Sequence, residues 1–469
     1  MDPLPLASLS AELAQLKPVQ SIGRVTRVEA GLIHIRGLEA VAHLGDQLNL
    51  TRSDGTALLG EVVSLSPSGV FMLPDDAPDG VALGNRVALG DQLMLWPIHT
   101  WTGRVIDPMG NSLDGRPLLK GPIAMPLRRP APAAADRHAL GKRLETGMTI
   151  FNTMLPIVEG QRLGLFSGSG VGKSSLLGHL ASHLEADIVV IALVGERGRE
   201  LRDFIENVLG REGLKKAVVV AATSDQSPLI RRRCPWSAMT IAEYFRDQGL
   251  RVLFLADSIT RFAEAHREIS VAAGEPATLR GFPASTSHLI MSLCERAGPG
   301  VGNAGSITAL LSVLVSGSDM EEPIADILRG ALDGHIVMDR RIAERGRFPA
   351  IDVLRSVSRS LPMAANDHEN MLMQHARQLL AAYDESEMMI RAGLYAAGSD
   401  PMIDRAITAW PELDGFVGQI ETGNITQSFA KLELILKRAG VSLPLRPQSA
   451  NLRAAQVTEE SIPEPHTPP

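Results

Sequence analysis

The chain has 469 residues, room for roughly two to four domains at about 150 residues each, and carries 45% hydrophobic residues, 21% charged residues and a net charge of −7. That acidic balance disfavours a general nucleic-acid coat, and an aromatic content of 4% is too low for an interface built on stacked bases. Cys234 and Cys294 are the only cysteines, so neither a disulfide framework nor a four-thiolate zinc site can be built, and a reducing compartment is expected.

Leu6, Leu9, Leu13 and Leu16 recur at helical spacing and predict a short amphipathic helix ended before Pro18, which either folds back on its own domain or docks a partner. The first basic residue is Lys17, so the start lacks the basic segment and apolar run of a secretory signal. From Ile22 to Leu89 short β-like runs, such as 22–28, 32–35 and 61–65, alternate with Gly, Asp and Pro and predict a small barrel. Residues 91–140 are rich in Pro and Gly and read as an extended connector.

Between about 155 and 355 apolar strands alternate with amphipathic helices. The strand candidates are 162–166, 187–194, 216–221, 251–256 and 306–315. Continuous apolar strands in this rhythm imply an α/β fold, a mostly parallel sheet covered on both faces. Residues 187–194 and 307–315 are about half the length of a membrane-spanning helix, which needs roughly 20 apolar residues. After Pro362 helical periodicity takes over, as at Leu372, His375, Leu379 and Tyr383, and 441–469 reads as a disordered tail rich in Pro, Ser, Glu and Thr. No repeat of solenoid period is present.

Ser167, Gly168, Ser169, Gly170, Val171, Gly172, Lys173, Ser174 and Ser175 follow a predicted strand and open a predicted helix over 173–184. This is the context of a phosphate-binding loop, in which glycines let backbone amides curl around a polyphosphate at the positive end of a helix. Lys173 would reach the β- and γ-phosphates and the Ser174 hydroxyl would ligate Mg²⁺. Ser167 stands where Gly or Ala is usual, and its small size keeps the loop shape.

Two further strands end in carboxylates on the same edge. Asp257 closes 251–257 and can hold Mg²⁺ directly or through water, while Glu196, in Val194-Gly-Glu-Arg-Gly-Arg-Glu200, is placed to orient or deprotonate an attacking water. His266, His288 and His375 lack metal-ligand spacing and read as ordinary surface or core residues.

Gly195-Glu-Arg-Gly-Arg-Glu200, Ala222-Thr-Ser-Asp-Gln-Ser-Pro228, Ile241-Ala-Glu-Tyr-Phe-Arg-Asp-Gln-Gly249, Asp257-Ser-Ile-Thr-Arg261 and Ala273-Gly-Glu-Pro276 closely resemble the export ATPases of type III secretion systems, and most closely their flagellar branch. Pro349-Ala-Ile-Asp-Val-Leu-Arg-Ser-Val-Ser358 fits the signature of the wider group that includes the catalytic β subunit of rotary ATP synthases. The resemblance covers roughly residues 20–440, while 150–158 and 285–293 depart from the family pattern.

It implies a RecA-like P-loop ATPase core with an N-terminal β-barrel and a C-terminal helical domain. The expected division is a partner-docking helix at 1–20, the barrel at 21–90, the ATPase domain with its connector at 91–360, helices at 361–440 and the tail. By the same resemblance Lys173, Ser174, Glu196 and Asp257 keep the roles argued above, with Arg197 and Arg261 in supporting positions. It adds Phe348, which would stack on adenine where the family usually has Tyr, and Arg359, which would act as an arginine finger on a neighbouring subunit's γ-phosphate.

The implied activity is ATP hydrolysis with Mg²⁺ by a homohexamer that drives chaperone release and protein export. The implied partners are a regulatory stator-like protein at the N-terminus, a stalk-like coiled coil contacting 395–402 at the C-terminal pore, export chaperones with their substrates, and a membrane export gate. The expected location is cytoplasmic, at the periphery of the inner-membrane export apparatus. A virulence (injectisome) export ATPase shares every motif quoted and stays open. A true ATP synthase subunit would need partners that the sequence does not show. A noncatalytic subunit is disfavoured by the carboxylate at 196, and an RNA-translocating hexamer by the acidic balance of the chain and the aromatic-poor barrel, so no nucleic-acid partner is expected.

Overall fold

The computed structural model describes residues 19–29, 31–315 and 321–443. The amphipathic helix expected over 6–16 and nearly all of the expected tail lie outside the described residues. Six antiparallel strands close a barrel in the order Ile22–Glu29, Leu32–Arg36, Gly69–Pro74, Ala57–Ser66, Gln47–Thr51 and Arg86–Leu89. Period-two alternation turns Ile33, Ile35, Leu48, Leu50, Val70 and Met72 into a closed apolar interior. Gly23 permits one tight crossing, since a Cβ there would lie 2.6 Å from Ile35 Cγ2 and 2.8 Å from the Arg36 carbonyl.

The ATPase core is built on a nine-stranded sheet. Its main path runs Ile351–Ser358, Gly334–Met338, Arg162–Ser167, Ser306–Leu314, Arg251–Asp257, Ile188–Glu196, Ala217–Thr223 and Arg104–Ile106. The five apolar runs read from sequence form its buried middle. Three further strands complete this path. Arg104–Ile106, inside the stretch read as a connector, pairs in parallel with Ala217–Thr223. At three residues it is too short to show periodicity, and its own Arg104 ties it to the following turn, with Nε and Nη2 donating to the Asp114 carboxylate at 2.7 and 2.8 Å. At the other edge Gly334–Met338 runs parallel to Arg162–Ser167, and Ile351–Ser358 returns antiparallel to it.

Helices cover both faces, as both faces of the buried strands require. Helix Lys173–His183 packs in one apolar core, and helices Pro228–Arg246, Ile259–Ala272 and Ser285–Arg296 pack in the other. Three helices, Asp367–Arg391, Pro401–Val417 and Ile425–Arg438, form the C-terminal domain. The first starts with a capping box between Asn366 and Glu369, and Leu372, Leu413 and Leu432 continue the first core without a break. Arg143 fastens this domain to the ATPase core by donating to the Asn152 and Ala364 carbonyls and to Glu369.

Among the described residues no helix is long and apolar enough to cross a membrane. Cys234 and Cys294 are both free and buried, and burial pushes both thiols up, Cys294 to about 12.

Candidate nucleotide site

Parallel register brings the chemistry to one edge of the sheet. Ser167 pairs with Leu314 and Met338, Leu193 pairs with Asp257, and Glu196 pairs with Thr223, so the loops after these strands open on a common cleft. The register slips between Val194 and Glu196, where Gly195 takes a φ of +68°, and this bulge turns Glu196 out of the buried strand. The cleft has a volume of about 700 Å³ and is lined by Gly168, Ser169, Gly170, Gly172, Lys173, Ser174 and Ser175 on one side and by Glu196, Arg197 and Arg261 on the other.

Within the loop, Gly170 and Gly172 adopt φ of +76° and +85°, conformations that side chains disfavour. Gly172 then caps helix Lys173–His183, whose first amides face the cleft. Ser167 and Val171 do not line it. Ser167 ends its strand fully buried, with a hydroxyl that has no partner, and the Val171 side chain anchors the loop in the core, so both can meet a phosphate only through backbone.

Asp257 is 4% exposed. Its Oδ1 forms an ion pair with Lys173 and accepts from the Ser312 hydroxyl at 2.7 Å. Glu196 faces this pair. Burial, then the neighbouring Asp257 charge, raises its carboxyl to about 7 against the opposing pull of Lys173. Ser174, Glu196 and Asp257 share a second cavity of about 470 Å³ beside the cleft. Among the described residues no group of three His, Cys, Asp or Glu side chains could hold a metal ion. A hydroxyl and a carboxylate with space for water and phosphate oxygens suit Mg²⁺, which keeps several waters, so these residues fit that ion.

Arg197 and Arg261 reach local carboxylates, Glu200 at 3.4 Å and Glu264 at 2.8 Å, at the mouth of the cleft. Phe348 is half exposed beside the loop: a Cβ on Gly172 would lie 3.2 Å from its Cδ1. Arg347 sets that position by pairing with Asp414 at 3.1 Å and donating to the Pro349 and Ile351 carbonyls at 2.7 and 2.8 Å.

Arg359 is elsewhere. It follows Ser358, which pairs with Gly334, whereas the loop end of the sheet is at Met338, four residues or about 13 Å along the strand. Its amide donates to the Asp333 carbonyl at 2.9 Å and its Nη2 to the Arg329 carbonyl at 3.2 Å, leaving the side chain exposed and directed away from its own cleft.

Sequence reasoning missed Ser312, Arg231 and Arg347. Ser312 interrupts an otherwise apolar strand end, a signal that could have found it. Arg231 lines the cleft and pairs with Glu268 at 2.8 Å, a contact between two helices that one sequence does not reveal.

Residues 147–358 match the family described as ATP synthase alpha/beta family, nucleotide-binding domain, and residues 365–433 match the T3SS EscN ATPase C-terminal domain. The chain is 44% identical over 441 residues to the flagellum-specific ATP synthase of Caulobacter vibrioides, covering 92% of this chain and 99% of that one. The assembled ATPase EscN from the type III secretion system of enteropathogenic E. coli superposes with a TM-score of 0.82 at 34% identity, covering 88% of this chain and 100% of that chain. EscN in complex with its central stalk EscO gives a TM-score of 0.80 at 35% identity, with the same coverage.

Proposed function

The chain belongs to the flagellum-specific ATP synthase family, and on that premise we propose that it hydrolyses ATP to drive chaperone release and export of flagellar proteins through a type III apparatus. The observation that carries this reading is the meeting of Lys173 and Glu196 in the cleft with Asp257 in the adjoining cavity, paired to Lys173, and a Glu196 carboxyl raised to about 7.

The loop amides and Lys173 would bind the triphosphate, and Lys173 would leave Asp257 to do so. Ser174 and Asp257 would hold Mg²⁺, whose charge offsets that of the phosphate oxygens. Glu196 in its ionised form takes a proton from water as the water oxygen bonds to the γ-phosphorus. The bond from that phosphorus to the bridging oxygen breaks, and ADP carries the electron pair away. Phe348 would cover one face of adenine. Arg359 would stabilise transition-state charge in a neighbouring subunit, consistent with its position far from its own loop.

The working form is a homohexamer with a stalk-like coiled coil at its pore, a reading supported by the assembled state of EscN and by its complex with the central stalk EscO. The segment 395–402 is suited to meet such a stalk. Tyr395 donates to Asp404 at 2.9 Å, the Gly398 amide donates to the same carboxylate at 2.9 Å, and Asp400 caps helix Pro401–Val417, so a shaped turn leaves Leu394 exposed. A stator-like regulator bound by the N-terminal segment, export chaperones, and peripheral attachment at the cytoplasmic face of the export gate complete the proposal.

A Lys173→Ala strain tests it. Loss of motility with intact effector injection supports the flagellar role, and the opposite pattern assigns the chain to an injectisome.

A further inference from the structure

A second cleft, of about 460 Å³, lies between four segments of the ATPase core and shares no residue with the nucleotide cleft. Arg128 and Arg129 come from the connector, Arg232 from helix Pro228–Arg246, His266 from helix Ile259–Ala272, and His288 and Arg296 from helix Ser285–Arg296. The last helix begins with the segment 285–293, whose sequence departs from the family pattern. Among the described residues no carboxylate side chain lines this cleft.

The carboxylates behind the wall are already shared. Glu61 meets Arg232 at 2.7 Å, Arg233 at 3.1 Å and Arg128 at 3.3 Å. Glu243 accepts from Arg296 Nε and Nη2 at 2.9 and 2.8 Å and lies 3.7 Å from Arg129, which also meets Asp247 at 3.1 Å. Glu275 serves the far end, accepting from the Ser285 amide and hydroxyl at 3.0 and 2.7 Å. Positive charge is therefore in excess at the end formed by Arg128, Arg129 and Arg232. Arg232 is 6% exposed, and its Nε is a buried donor with no acceptor, an arrangement that costs free energy. Trp236 holds two of the cations in place, with the Arg128 and Arg232 guanidinium carbons 4.6 and 5.2 Å from its ring centroid. Burial first, then Arg232 and Arg128 against the opposing Glu275, pushes His266 down to about 4.

We propose that this cleft binds a small phosphate-bearing anion, whose oxygens are held by Arg128, Arg129 and Arg232. Guanidinium forks match phosphate oxygens, and a tetrahedral dianion has more oxygens to share among several guanidinium groups than a carboxylate does. The volume exceeds that of a bare ion and suits a small organic phosphate.

The test is titration calorimetry of the full chain with inorganic pyrophosphate at low salt, without nucleotide. Wild type, Lys173→Ala, and the double variant Arg128→Ala/Arg129→Ala are compared. The site predicts that binding persists in Lys173→Ala, weakens about tenfold or more in the double variant, and falls as salt rises. Basal ATP hydrolysis should be unchanged in the double variant, and its melting temperature should fall by a few degrees, because Glu61 and Glu243 each lose one guanidinium partner and keep the others. Should that variant fold poorly, Arg128→Gln replaces it, because the Arg128 side chain is 57% exposed. Binding lost in Lys173→Ala and kept in the arginine variants would place all pyrophosphate in the nucleotide cleft and overturn the proposal. A hexaglutamate peptide that binds more tightly than pyrophosphate would overturn it in favour of an acidic polypeptide.

Discussion

Lys173 and Asp257 form an ion pair across the nucleotide cleft, joining the first residue of the loop helix to the last residue of a central strand. Glu196 faces that pair, and its titration follows from it. Burial and the Asp257 charge hold its carboxyl near 7, above its ordinary 4.5, so the basic form is withdrawn as pH falls through that value. kcat/KM should therefore rise tenfold per pH unit below about 7 and level off above it. A profile flat between pH 5.5 and about 8 removes Glu196 as the base.

Glu196→Gln keeps the shape and the phosphate contacts but deletes the base. Nucleotide affinity, read with a fluorescent ATP analogue, should stay within a few-fold of wild type while phosphate release slows by roughly 10²-fold or more. Near-normal turnover would rule out the assigned role.

Phe348 presents a half-exposed ring beside Gly172. Stacking on a base contributes about 1–3 kcal/mol, so Phe348→Ala should weaken ATP binding by ~5- to ~150-fold, and Phe348→Tyr should restore it because the ring face is unchanged. Equal affinity in all three proteins would detach this residue from adenine.

Arg359 sits at the far end of its strand from its own loop, so the proposed finger role requires a neighbouring subunit. Turnover per subunit should rise with protein concentration as rings assemble. Lys173→Ala and Arg359→Ala should each be inactive alone, and a mixture should regain part of the activity where an intact site meets an intact finger. Full activity in a monomer, or subunit exchange without recovery at any ratio, contradicts the assignment.

Glu61 joins the barrel to the ATPase core. It is 4% exposed and serves three guanidinium groups; burial alone would raise its carboxyl, but Arg232, Arg233 and Arg128 outweigh burial and hold it below 4.5. A depressed folded value means that its stabilisation is present above pH about 4.5 and is lost as pH falls through the lower folded value. Glu61→Gln leaves Arg232 and Arg233 buried without that charge and should cost about 3–5 kcal/mol at neutral pH. The variant should also lose part of the wild-type acid dependence, read by denaturant melts between pH 3 and 7.

The sequence by itself determined the phosphate loop, the two carboxylates and the order of barrel, sheet and helices. Each is written locally: Gly170 and Gly172 in the turn, unbroken apolar runs for strands buried on both faces, and Asp257 and Glu196 at the ends of such runs. Their meeting on one edge follows from parallel register, which the alternation of strand and helix already requires. Tertiary structure alone decided the rest. Arg104–Ile106 is too short to carry a period, and only its pairing with Ala217–Thr223 makes it a strand. The value near 7 at Glu196 depends on burial and on a charge 61 positions away in the chain. The cation-rich second cleft takes one or two basic side chains from each of four segments, so no window of sequence contains it; long-range packing sets both the distances between charges and the water removed from around them.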